Sequence, residues 1–161
     1  MWYSKILIAL YITCWMHNSC GSSHQSNMPS FNLLLADSST IIKSDNIPYG
    51  QPIMLLFFSP DCEHCQAETK NLLGNMDALE NIRIYFITVD PLEKMRVFNK
   101  YYKLSMYRNI VVGRDYNFTM FKNFDIPTTP VIVLFNKYKQ ERVIIKGPCE
   151  IKWLLEKINQ L

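Results

Sequence analysis

The stretch IMLLFFSPDCEHCQAE, Ile53 to Glu68, decides how the rest of the chain is read. Its first six residues, Ile53 to Phe58, are apolar, too few for a helix and bounded by turn formers, which predicts a strand buried on both faces. Ser59, Pro60 and Asp61 break it. From Cys62 onward apolar residues recur at helical spacing, at Ala67, Leu72, Leu73, Met76 and Leu79, so the strand feeds a helix that fades near Asn81. Cys62 and Cys65 then fall on the first helical turn.

Sulfur chemistry becomes accessible at such a place. Cysteines three apart share a helix face, within the roughly 5–6 Å Cα separation that a disulfide needs. The first turn carries unpaired N–H groups and the positive end of the helix dipole, which favour a thiolate on Cys62. His64, between the two cysteines, can add a donor or a positive charge. Asp61 and Glu63 act against the thiolate, because neighbouring carboxylates disfavour a second anion. A redox-active dithiol is therefore expected. A structural disulfide and half of a zinc site are the alternatives. Zinc would need further ligands from Cys14, His17, Cys20, His24 or Cys149, four of which lie at the extreme N-terminus. No metal and no cofactor are expected.

Length and composition set the frame. A chain of 161 residues, 48% hydrophobic and 19% charged, suits one globular domain with a tail. The net charge of +3 falls only to +2 without residues 1–20, whose single charged side chain is Lys5. That balance gives no basis for nucleic acid as a partner. The basic residues between Lys137 and Lys146 read as a solvated hairpin tip.

Lys5 precedes an apolar run of 11 residues, Ile6 to Met16, too short to span a bilayer and proportioned like the core of a secretory signal. A buried first helix or an uncleaved anchor would be the other readings. Cys20 is followed by Gly-Ser-Ser-His-Gln-Ser-Asn, a polar tether. The expected organisation is a signal over 1–20, a flexible tether over 21–30 and a domain over 31–161. Such a domain would work outside the cytoplasm, in the cell envelope or periplasm, where disulfides are exchanged. With residues up to 19 removed and Cys20 acylated, Cys62, Cys65 and Cys149 remain, leaving one thiol beyond the motif. Cys149 reads as a small half-buried residue at the start of the last helix.

Along the chain, Phe31 to Leu35 and Thr40 to Lys43 predict a hairpin ahead of the core. Ile82 to Val89 reads as a second interior strand. Pro91 suits the first turn of a helix whose core face is Leu92, Met95, Phe98 and Tyr102. Ile110 to Val112 is a short strand, followed by a turn at Gly113, Arg114 and Asp115 and by helical turns over Phe118 to Phe124. Val131 to Phe135 and Arg142 to Lys146 form a hairpin across the loop 136–141. The last helix places Ile151, Leu154, Leu155, Ile158 and Leu161 on one face. This order of elements predicts an α/β three-layer sandwich, with helices on both faces of a central mixed sheet.

Cys-x-x-Cys after a core strand, in a βαβ pattern closed by a hairpin and a helix, resembles the thioredoxin fold over about residues 31–161. The N-terminal β-hairpin and the motif resemble the TlpA/ResA-type thiol–disulfide oxidoreductases of bacterial envelopes, in the short lipoprotein form common in Bacteroidetes. The resemblance implies an envelope enzyme that exchanges a Cys62–Cys65 dithiol with client proteins carrying disulfides or thiols, as a reductant. It implies Cys62 as the exposed nucleophile, Cys65 as the buried resolving cysteine, and Glu68 beside the dithiol as a proton acceptor. Thr129-Pro130, ahead of Val131, matches the cis-proline that faces the dithiol in thioredoxins, and would aim the Thr129 backbone at an extended substrate segment. Cys20 resembles a lipoprotein cysteine, although of His17, Asn18 and Ser19 only Ser19 fits the small-residue rule, and plain secretion is the alternative. The resemblance also implies an upstream membrane electron donor, with membrane contact only through the N-terminal anchor.

Departures from the pattern bear on mechanism. Asp61 stands where thioredoxin has tryptophan, and Leu56 takes the place of its buried aspartate, which leaves Glu68 as the main candidate for proton acceptor, a solvated helix-surface acid being its other reading. His64 before the second cysteine is similar to the thiol oxidant DsbA, an alternative direction of electron flow that the flanking acids oppose. Two other readings share the fold. A peroxiredoxin would need a proline where Leu55 stands, although Ser59 fits. A copper or thiol-binding carrier of the Sco kind uses Cys-x-x-x-Cys and a distant histidine, and no histidine follows His64 here.

Overall fold

Alternation of side chains builds the centre of this molecule. In the computed structural model, which describes residues 27–161, strand β3, Ile53–Phe57, is buried at every position. Met54 and Leu56 point into one apolar cluster, and Ile53, Leu55 and Phe57 into another. A run without polar residues is what a strand covered on both faces requires. β4, Arg83–Thr88, and β5, Ile110–Arg114, continue the sheet in parallel from β3. β6, Val131–Phe135, runs antiparallel on the other side of β3 and pairs with β7, Glu141–Lys146. The hairpin expected at the start is present as β1, Asn32–Leu34, and β2, Ile41–Lys43, with β1 antiparallel to β5. The seven-stranded order is β2-β1-β5-β4-β3-β6-β7.

Two layers cover this sheet. Helices α1, Glu63–Leu73, α2, Leu92–Tyr102, and α4, Ile151–Asn159, pack on the face lined by Met54, Leu56, Ile84 and Phe86. The opposite face receives α3, Thr119–Asn123, together with Phe31 and Ile47 from the N-terminal segment. Phe58 locks α2 to the sheet, its ring 4.6 Å from Phe98 and edge-on to Phe86 at 5.7 Å. Each such buried aromatic stabilises the fold by about 2–3 kcal/mol through apolar area removed from water. The mixed sheet with helices on both faces is the thioredoxin-like sandwich that the residues imply.

Several local expectations are corrected. The first helix does not run to Asn81. It ends at Gly74, whose N–H bonds Lys70 O, and Met76–Leu79 forms a separate single turn. Its inward face also differs from the apolar reading. Ala67 is exposed, whereas Glu68 and Thr69 are buried, and both polar side chains find partners inside. Pro91 caps α2 rather than lying within it. Gly113 and Arg114 belong to β5 and pair with Ile87 and Thr88. Glycine is needed at 113 because Leu33 of the edge hairpin crosses there, 2.7 Å from where a Cβ would stand. β7 begins at Glu141, inside the expected loop. The expected signal over 1–20, the anchor Cys20 and most of the tether 21–30 lie outside the described residues.

Candidate active site

β3 delivers its chain to the carboxyl edge of the sheet, and a turn at Ser59, closed by Cys62 N–H to Ser59 O at 3.1 Å, redirects it into α1. Cys62 is not inside the first turn. It is the N-cap, with extended φ and ψ of −83° and 117°, and its Sγ accepts the Cys65 N–H at 3.4 Å. A sulfur thus does what a serine or aspartate oxygen does at other helix starts. The Cys62 thiol donates in turn to the carbonyl oxygen of Thr129 at 3.5 Å. Thr129 precedes Pro130 through a cis peptide bond, as the sequence predicts. Residues 62 and 129 therefore meet across a gap of 67 in the chain.

The two sulfurs of the motif live in different surroundings. Cys62 is half-buried; Cys65 is wholly buried. For Cys62, partial burial disfavours the thiolate. Hydrogen bonds from Cys65, along with those involving Thr129 and the His64 main chain, outweigh burial, and its pKa lies below that of a free thiol. Burial pushes the Cys65 thiol up to about 12, and the neighbouring Cys62 adds to the rise. A thiol that ionises more readily than a free cysteine thus sits beside one that burial holds protonated.

Glu68, one turn beyond Cys65, is 1% exposed and is no solvated surface acid. Burial raises its pKa, and hydrogen bonds from Cys149 oppose the rise. The Cys149 main-chain N–H reaches Oε2 at 3.2 Å and its Sγ lies 3.6 Å from Oε1. Cys149 is half-buried, as expected, but polar in its contact. It reaches α1 because Gly147, at φ +86°, turns the chain out of β7 while its N–H binds the carbonyl of Pro130 at 2.9 Å. Thr69, also buried, returns its hydroxyl to Cys65 O at 2.8 Å and steadies the same turn.

The flanking charges are arranged otherwise than the sequence suggests. The Asp61 carboxylate forms an ion pair with Lys94 of α2. Glu63 and His64 are exposed. Between α1 and α2, next to the dithiol loop, lies a groove of about 450 Å³ lined by Pro60, Asp61, Gln66, Lys94 and Tyr101 among others. Leu56, in the place of thioredoxin's aspartate, is fully buried in β3 against Ile132 of β6. Among the described residues no three His, Cys, Asp or Glu side chains converge as a metal site would require. The structure thus joins Cys62, Cys65, Thr129 and Pro130, sets Glu68 one turn away and leaves the His64 side chain at the surface. Sequence reasoning missed two partners, Lys94 and the Glu68 contact of Cys149. The only signal for the latter was a thiol left over beyond the motif.

Comparison with known proteins gives the chain a family and a set of structural neighbours. The sequence pattern of the AhpC/TSA family matches residues 25–147. No curated protein matches the chain as a relative. A secreted disulfide oxidoreductase of Mycobacterium tuberculosis, homologous to DsbE of E. coli, superposes with a TM-score of 0.68 at 18% identity, over 81% of this chain and 96% of that one. StoA from Bacillus subtilis gives 0.63 at 20% identity, over 80% and 96%. The reduced 2-Cys peroxiredoxin of Plasmodium vivax gives 0.67 at 14% identity, over 84% and 94%. At these identities the likeness is one of fold.

Proposed function

The chain belongs to the AhpC/TSA family, and from that membership and the unequal sulfurs at the start of α1 we propose that it is a TlpA/ResA-type thiol–disulfide oxidoreductase reducing client proteins in the cell envelope. The contrast between a half-exposed, acidic Cys62 and a buried Cys65 held near 12 carries this reading. Cys62 thiolate attacks a client disulfide, whose S–S bond breaks as one client thiolate leaves, giving a mixed disulfide. Glu68 takes the proton from Cys65. The Cys65 thiolate then attacks Cys62 Sγ, the Cys62–Cys65 disulfide forms, and the second client thiolate departs. Two electrons pass to the client, and a membrane donor upstream would restore the dithiol. Thr129 offers its main chain to an extended client segment, with Pro130 holding the strand start in place.

Location follows from the N-terminal sequence, with Cys20 as the lipidated anchor; loss of labelled-palmitate incorporation in Cys20→Ser would be the expected sign. The decisive experiment is trapping. Cys65→Ser should accumulate mixed disulfides on Cys62, and the unaltered protein should reduce insulin disulfides. Absence of both would end the proposal. A reduction potential near thioredoxin's, about −270 mV, supports a reductant, and one near about −120 mV makes the protein an oxidant like DsbA. The peroxiredoxin-like superposition suggests a second reading, peroxide reduction. Fast consumption of hydrogen peroxide by the purified protein would favour it over client reduction.

A further inference from the structure

We propose that Cys149 is a positioning residue for the dithiol, gripping the buried Glu68 carboxylate with its main-chain N–H and its thiol so that the carboxylate stays ionised and oriented. The inference deepens the function proposed above and rests on Glu68 as acceptor of the Cys65 proton. Its foundation is geometric. A carboxylate that is 1% exposed accepts both of its hydrogen bonds from one residue 81 positions later, one bond to each oxygen. Burying a carboxylate is costly unless donors compensate it. Two donors on separate oxygens fix its plane as well as its charge.

The groups around Glu68 leave this task to Cys149. On α1 itself the nearest titratable neighbour is Cys65, one turn back, which donates nothing durable because it must lose its proton in the reaction. On the link from β7 to α4, Lys146 and Glu150 are exposed, and Cys149 alone of the three turns inward. The grip acts in both directions. Burial and the adjacent Glu68 carboxylate push the Cys149 thiol up to about 12. It therefore remains a donor and a poor nucleophile, a third sulfur near the reacting pair that does not compete for Cys62. In the resolving step Glu68 accepts the Cys65 proton on one oxygen, the Cys65 thiolate attacks Cys62 Sγ as the client thiolate departs, and Cys149 keeps its own proton throughout.

The test uses the purified protein, Cys149→Ala, Cys149→Ser and Glu68→Gln. Carbon-13 NMR of the Glu68 carboxyl follows its titration directly. Cys149→Ala removes the thiol donor and leaves the main-chain one, so the Glu68 acid dissociation constant should fall roughly three- to tenfold, the size of one net hydrogen bond. Cys149→Ser, which keeps a donor, should bring it back. The second release of thionitrobenzoate after reaction with 5,5′-dithiobis(2-nitrobenzoate) reports resolution by Cys65. Because the base must be ionised, the acid limb of that rate should move to higher pH in Cys149→Ala and return in Cys149→Ser, whereas a merely structural role would leave the limb in place. Coincident Glu68 titrations in the unaltered protein and Cys149→Ala would overturn the role of Cys149 while leaving Glu68 as acceptor. A Glu68→Gln protein that resolves as fast as the unaltered one would overturn the acceptor role, and this proposal with it.

Discussion

A single sulfur at a helix cap has consequences that can be titrated. Cys62 has a pKa lowered by hydrogen bonds to Cys65 and Thr129 that outweigh its partial burial. Its thiolate should therefore persist to lower pH than that of a free cysteine. Iodoacetamide should modify Cys62 faster than unstructured cysteine at pH 6–7, with Cys65 unreactive; equal rates for Cys62 and a model thiol would contradict this. Lys94 pairs with the Asp61 carboxylate next to Cys62 in the chain, and its removal would leave that negative charge uncompensated. Lys94→Gln should slow Cys62 alkylation a few-fold at low salt, and the difference should shrink as ionic strength rises. Glu68 predicts an effect on stability. Its pKa is raised in the folded state above the ordinary 4.5. The folded protein thus binds that proton more tightly than the unfolded chain, and stability declines as pH climbs through the window above 4.5. Glu68→Gln, which cannot titrate, should flatten that decline of melting temperature with pH while slowing resolution. Cys62, Cys65 and their helix start were legible in the sequence because the motif is local. The Glu68–Cys149 contact was not, since nothing in the spacing says which buried acid a distant thiol will meet.

Elements show the same division. The continuous apolar runs at Ile53, Ile82 and Val131 announced interior strands, because a strand covered on both faces has no polar alternation to hide it. The short helix α3 was less legible, and what holds it was not legible at all. Asp115, read as a turn residue, is 1% exposed, and its carboxylate accepts the N–H groups of Thr119, Met120 and Phe121 at 3.0, 2.8 and 3.2 Å. Those are the unpaired donors of a helix only five residues long. Asp115→Ala should cost about 2 kcal/mol in urea unfolding, with Asp115→Asn losing less. Because Phe121 of α3 packs edge-on against Phe57 of β3, at 5.2 Å, hydrogen exchange should quicken in α3 first.

At the scale of the whole molecule, the edge hairpin is joined to the parallel core by a close crossing at Gly113. Gly113→Ala would place a Cβ 2.7 Å from that of Leu33, neither of which can swing aside. The expected cost is about 1–3 kcal/mol, read as a lower melting temperature with the Cys62 alkylation rate unchanged. Periodicity foretold the hairpin but not this crossing, which turned an expected turn into the end of a strand. The link at Thr129 and Pro130 spans the molecule in another sense: one carbonyl faces Cys62 and the next holds Gly147, which leads to Cys149. Once Cys62 gives up its proton and bonds to another protein, the oxygen of Thr129 loses its sulfur donor. An acceptor falls vacant beside the captured sulfur at the moment a visiting main chain arrives with amides to satisfy, and it is reclaimed when the visitor leaves. Grip and release would then be timed by the reaction itself, without any moving lid.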